Sequence, residues 1–185
     1  LHYDVCDNFL CCIRGRKRVV LLEPREVGNI YLSGSSSAMG SRALEPSGRA
    51  QLWREFPLAE GAWARRYEAE LEEGDVLFIP SFWPHCTEAL PPLSGGSRLC
   101  ISINTFLLRP EAAALHDPRD VWANRELLPA QDALKPFEDK TLPALQRLPA
   151  VPRGFYCRKM AASLLAMAEE AEEAARRLQG SAIQH

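Results

Sequence analysis

What this chain has little of narrows it first. Its 185 residues carry 22 Lys and Arg against 24 Asp and Glu, a net charge of only −2. No excess of one sign drives the whole molecule onto nucleic acid or an anionic surface, so a basic surface has to be local. No run of about 18 apolar residues occurs, which excludes a membrane-spanning helix by length. The cysteines (Cys6, Cys11, Cys12, Cys86, Cys100 and Cys157) include no CxxC pair and form no cluster, which sets aside a zinc site. Four of them fall in apolar, strand-like runs, where a free thiol behaves as a small hydrophobe. Reduced thiols fit a cytoplasmic or nuclear setting. Internal repeats and zinc-finger or reader modules are lacking. The first residue is Leu1 rather than Met, so the expectation is an excised piece whose upstream strands lie elsewhere.

What is present reads as one domain with a helical appendage, and 46% hydrophobic residues suffice for a buried core. Phe9 to Ile13 and Arg18 to Leu22 are continuous apolar runs around an Arg14-Gly15-Arg16 turn, the pattern of strands buried on both faces. Pro24 to Tyr31 predicts a short helix opened by its proline, and the Ser/Gly-rich stretch 33–48 a loop. Further strands are predicted over Arg65–Leu71, Val76–Ile79, Cys86–Leu90 and Leu99–Leu108. Short strands joined by turns suggest a jelly roll, or cupin-type barrel, over 1–110. Past Pro110 the composition turns to Ala, Leu, Glu and Arg, and 111–185 reads as a C-terminal helical region. Its last helix, Gly154–Gln179, carries a stripe of Met160, Leu164, Met167, Ala171, Ala174 and Leu178. Glu172 with Arg176 and Glu173 with Arg177 are expected i,i+4 pairs.

The chemistry concentrates in two short segments. His2-Tyr3-Asp4 places an imidazole and a carboxylate two residues apart, and on a strand such residues share a face. His85 follows an apolar strand and a Pro-Ser-Phe-Trp-Pro loop, in which Phe82 and Trp83 are positioned to wall a site against water. Two imidazoles and one carboxylate on one face of iron leave three coordination positions open, as in non-haem Fe(II) oxygenases. HxD also occurs by chance, and a histidine after an apolar run is often a satisfied core residue. His116, in a His-Asp-Pro turn, and the terminal His185 are expected to face solvent.

These segments resemble a known family. His2-Tyr-Asp-Val-Cys-Asp-Asn8, Gly15-Arg-Lys17-Arg-Val-Val-Leu, Leu71-Glu-Glu-Gly-Asp-Val-Leu-Phe-Ile-Pro80 and Trp83-Pro-His85 are similar to the JmjC-type, 2-oxoglutarate-dependent oxygenases, in particular the tRNA wybutosine hydroxylase branch. Arg153-Gly-Phe-Tyr-Cys-Arg-Lys-Met160 resembles that branch's helical region. Pro84, just before the ligand histidine, and the length of the Ser/Gly loop depart from its pattern. The resemblance implies a double-stranded β-helix, mostly β with C-terminal helices, and Fe(II) held by His2, Asp4 and His85. It implies Lys17 on the distal carboxylate of 2-oxoglutarate, with Asn8 and Asn104 lining the pocket. Strand parity separates Lys17 from Arg16 and Arg18, which lets the lysine point inward; the alternative is one more solvated turn charge.

The reaction so implied is hydroxylation of a substrate carbon with O2 and 2-oxoglutarate, on the wybutosine-type guanosine of phenylalanine tRNA. Arg14, Arg16, Arg18, Arg65 and Arg66 are candidates for a phosphate-binding patch, against a solvated face balanced by glutamates. Two other functions remain open: a JmjC protein hydroxylase or lysine demethylase, and a non-catalytic cupin-like interaction module. A homodimer through the C-terminal helices is expected, and no membrane partner.

Overall fold

The computed structural model describes residues 1–32, 53–93, 99–120 and 125–182. The predicted 33–48 loop and His185 lie outside the described residues. Two compact units are formed, Leu1–Ala130 and Gln131–His185.

The first unit is built on β1 (Asp7–Arg14), β2 (Arg16–Leu21), α1 (Pro57–Ala64), β3 (Tyr67–Leu71), β4 (Val76–Ile79), β5 (His85–Leu90), β6 (Ile101–Leu107) and a short α2 (Pro110–Ala113). The strands make two three-stranded antiparallel sheets, in the orders β4-β1-β6 and β3-β2-β5. β1 and β2 are consecutive yet belong to different sheets, so Gly15 between them is the corner. It sits at φ 83°, and a Cβ there would lie 2.6 Å from the Leu99 carbonyl oxygen. Glycine alone suits both constraints.

Alternation explains the interior. On β2, Lys17, Val19 and Leu21 face inward, while Arg16, Arg18 and Val20 face out. Val19, Leu21 and Leu71 from one sheet pack against Leu10, Cys12 and Ile79 from the other, with Trp83 against them. Burying each such aliphatic side chain is worth about 1.5–3 kcal/mol. A second cluster lies on the outer side of β2, where Val20 and Leu22 meet Ile30 and Ala59, Ala62 and Trp63 of α1. Of the predicted 24–31 helix, only a 3₁₀ turn at Pro24–Glu26 forms. Glu26 on that turn is gripped at both oxygens by Arg65, at 2.7 and 2.8 Å.

The second unit is helical. α3 (Leu128–Pro136) leads through a π turn (Phe137–Thr141) and α4 (Leu142–Gln146) to α5 (Ala150–Ala182). α5 begins four residues before the expected Gly154. Its stripe residues Met160, Leu164, Met167 and Leu178 are exposed. Of the two expected pairs, Arg177–Glu173 forms, whereas Arg176 turns to the Glu172 backbone carbonyl. No helix among the described residues is long and apolar enough to cross a membrane.

Candidate metal centre

His2 and Asp4 lie ahead of β1 rather than on a ladder strand. They are held by an isolated antiparallel bridge between His2 and His85, made of His2 N–H to His85 O at 2.9 Å and the reverse at 2.7 Å. A third bond, Phe82 N–H to Asp4 O at 2.8 Å, ties the loop before β5 to the same segment. Residues opposite one another in such a bridge share a face, and the two imidazole centroids come to 4.3 Å. One candidate ligand atom from each of His2, Asp4 and His85 lies within 4.8 Å of the others, and no other such trio occurs among the described residues. His85 Nε2 and Asp4 Oδ2 are 3.6 Å apart. Neighbouring ligands at right angles around a cation, each roughly 2.0–2.2 Å from it, stand about 3 Å apart.

The surroundings suit a cation. His85 is 2% exposed, and its Nδ1 lies 2.9 Å from the Trp83 carbonyl oxygen. That oxygen only accepts, so Nδ1 carries the proton and the Nε2 lone pair turns to Asp4. Two electron-rich atoms facing each other call for a cation or a proton between them. His2 keeps an exposed edge, yet burial of its ring, then the neighbouring His85, lower its pKa below 6.5. That shift favours the neutral imidazole, the form a metal ligand needs. Asn8, 1% exposed, donates from Nδ2 to Asp4 Oδ2 at 3.2 Å. Its Oδ1 is buried with no hydrogen-bond partner among the described residues. An orphaned acceptor beside a ligand carboxylate fits a bound water or co-substrate.

Lys17 lies on the inner face, where Nζ donates to Ser102 Oγ at 2.5 Å. A hydroxyl does not neutralise an ammonium, and no carboxylate pairs with Lys17 among the described residues. Asn104 stands opposite Leu10, and Ser102 opposite Cys12, so both belong to the inward set of β6, although Asn104 is solvent-exposed. Ser102 carried no sequence signal, since only the β1–β6 register brings it near Lys17. Trp83 does wall the interior, whereas Phe82, at φ 64°, is 41% exposed and does not. Asp7 braces the loop leading to His85 by accepting from Ser81 N–H at 2.8 Å and from Arg109. Burial works against the Asp7 carboxylate, but Arg109 and Ser81 outweigh it and hold its pKa below the usual value.

Two expectations are corrected. Of the predicted patch, Arg16, Arg18, Arg65 and Arg66 are taken up by glutamates, whereas exposed Arg14 makes no ion pair among the described residues. Arg16 and Arg18 both reach Glu70, at 2.9 Å, while Arg65 pairs with Glu26 and Arg66 with Glu68. The antiparallel register sets Glu70 and Glu88 on either side of Arg18, which neutralises the face. His116 is not solvent-exposed either; its Nε2 lies 3.3 Å from the buried Asp120 carboxylate.

Residues 1–109 match the cupin-like domain family. The chain is 39% identical over 160 residues to tRNA wybutosine-synthesizing protein 5 of Danio rerio, covering 86% of this chain and 44% of that protein. Against the Homo sapiens protein of that name, identity is 35% over 159 residues, covering 86% and 45%. A tRNA wybutosine-synthesizing protein 4 from Gibberella zeae is 31% identical over 165 residues, 89% of this chain and 14% of that protein. The chain thus spans less than half the length of these relatives. The two antiparallel sheets fit a cupin-type barrel, and the match over 1–109 places this chain in the cupin-like domain family.

Proposed function

We propose that this chain carries the catalytic centre of an Fe(II)- and 2-oxoglutarate-dependent oxygenase that hydroxylates a carbon of its substrate. The convergence of His2, Asp4 and His85 carries the reading. These three would hold the metal, and Lys17 with Ser102 would receive the distal carboxylate of 2-oxoglutarate. Asn8 orients Asp4 through Nδ2, and its Oδ1 is left to accept a proton-bearing group in the pocket. Asn104 lines the same inner face. Trp83 keeps water from one side and fixes the His85 tautomer through its carbonyl. Bound iron, with 2-oxoglutarate and O2, supplies the oxidant for C–H hydroxylation and releases succinate and carbon dioxide.

The substrate we propose is the wybutosine-type guanosine of phenylalanine tRNA, on the strength of the relatives' names and the motif resemblance, with cytoplasmic or nuclear residence. With Arg16, Arg18, Arg65 and Arg66 paired, one group of cations open to phosphate lies on α5. There Arg153, Arg158 and Lys159 make no ion pair among the described residues and neighbour exposed Phe155 and Tyr156, suited to stacking on bases. The exposed stripe from Met160 to Leu178 is the basis for a homodimer through these helices. Hydroxylation of a protein side chain is the second reading, favoured by the charge-balanced sheet face.

Oxygen uptake and succinate formation with Fe(II), 2-oxoglutarate and either tRNA or peptides test this. Turnover stimulated by tRNA, and lost in His2→Ala and Asp4→Ala, is expected. Full turnover in both variants removes the ligand assignment, and stimulation by peptides alone favours the second reading.

A further inference from the structure

The backbone of the segment that bears two of the three candidate ligands is bonded along one side. β1 begins only at Asp7, and the three backbone bonds described above all run to the Phe82–His85 stretch. That stretch carries the third ligand and is itself framed by β2, through the Leu21–His85 pairing and Leu22 N–H to Pro84 O at 2.8 Å, so the backbone bonds hold the segment from this one side.

An outside anchor exists on the opposite face of the segment. His2 and Asp4 turn toward the trio, and Tyr3 between them turns away. The half-buried Tyr3 hydroxyl donates to Glu126 Oε1, across 123 positions of sequence. Glu126 is 7% exposed and sits in a stretch with bracing of its own. Leu128 N–H bonds the Leu115 carbonyl at 2.8 Å. Arg125 donates its backbone N–H to Asp120 at 2.9 Å and its guanidinium to Asp117 at 3.3 Å. Arg119 forks onto the same Asp117. A carboxylate accepting from a phenol inside such a frame makes a strong, directional tether.

We infer that Tyr3 and Glu126 are a positioning pair that sets the height and rotation of the His2–Asp4 segment against His85. Neither touches the metal; they act through the backbone between the ligands, and the inference rests on the metal reading above. The pair makes occupancy of the centre depend on the fold of the stretch after the last strand, which lies outside the two ligand segments.

The test is Co(II) titration of the full chain, followed by visible absorption, alongside thermal unfolding without metal. The wild type is expected to take up Co(II) with a tetragonal or five- to six-coordinate spectrum. Tyr3→Phe and Glu126→Ala are each expected to weaken Co(II) about ten-fold, the lower end of what outer partners of metal ligands contribute. The double variant should be no weaker than either single one. Glu126→Gln keeps an acceptor oxygen and nearly the same shape, so it should fold and restore most of the affinity. Unchanged affinity in Tyr3→Phe, or losses that simply add in the double variant, overturn the pair while leaving the metal centre standing. A lowered melting temperature with wild-type affinity and spectrum means plain packing and also overturns it. A wild type that takes up no Co(II) removes the metal reading and this inference together.

Discussion

The two sheets present different outer faces to water. On β3-β2-β5, Arg16, Arg18, Glu70 and Glu88 interlock in cross-strand ion pairs, and α1 covers the apolar remainder. On β4-β1-β6, the outward set includes Ile13, Val76, Phe78, Ile101, Ile103 and Leu107, all exposed. Phe9 and Phe78 pair there at 5.1 Å. One sheet is finished as a solvent surface, whereas the other leaves a row of large apolar side chains exposed. The candidate metal centre joins the two: His2 and Asp4 precede β1 of the apolar-faced sheet, and His85 opens β5 of the charged one.

That junction is where the largest effect is expected. His85→Ala removes the ligand contributed by the second sheet, and metal affinity should fall by at least about 100-fold in a titration, since even outer partners are worth roughly 10–100-fold. Next comes the shared interior. Leu10→Ala and Leu22→Ala should each cost about 2–5 kcal/mol in denaturant unfolding, the first loosening the contact between sheets and the second only the seat of α1.

Acid should act in two stages. The folded-state pKa of His2 is depressed by burial and by His85. The unfolded chain therefore takes up its proton first, and stability present above about pH 6.5 is lost as pH falls toward the folded value. Asp7 is also depressed, as is Glu26, whose Arg65 contact outweighs its burial. Their contribution is present above about pH 4.5 and is lost as pH falls through the depressed folded values. Melting temperature followed against pH should show both steps, and Asp7→Asn should shrink the second.

Smaller effects separate the outer faces. Ile103→Lys should change stability by less than about 0.5 kcal/mol while reducing self-association in light scattering. A large destabilisation would mean that the face is packed. Glu70→Gln, which weakens two ion pairs at once, should have the least effect, and raising salt should erase it.

Much of this architecture could be read from residue order. The continuous apolar runs of β1 and β2 announced strands, and parity alone turned Lys17 away from its arginine neighbours. What stayed hidden required register or distance along the chain. α1 went unread because eight residues containing Gly61 offer a weak helical pattern. The arginine patch failed because Glu70 and Glu88 reach Arg16 and Arg18 from adjacent strands and Glu26 reaches Arg65 from a distant turn. The resemblance to known enzymes singled out His2, Asp4 and His85, but nothing local links Tyr3 to Glu126 or Lys17 to Ser102.

The register of β2 also sets a length. Lys17 and Leu21 share its inner face, and Leu21 lies opposite His85. Four residues at about 3.3 Å each separate the ammonium and imidazole anchor points by roughly 13 Å of strand. Under the proposed function, a linear diacid reaching from Lys17 toward the candidate metal centre would have its length read by that spacing, a shorter one giving up contact at one end.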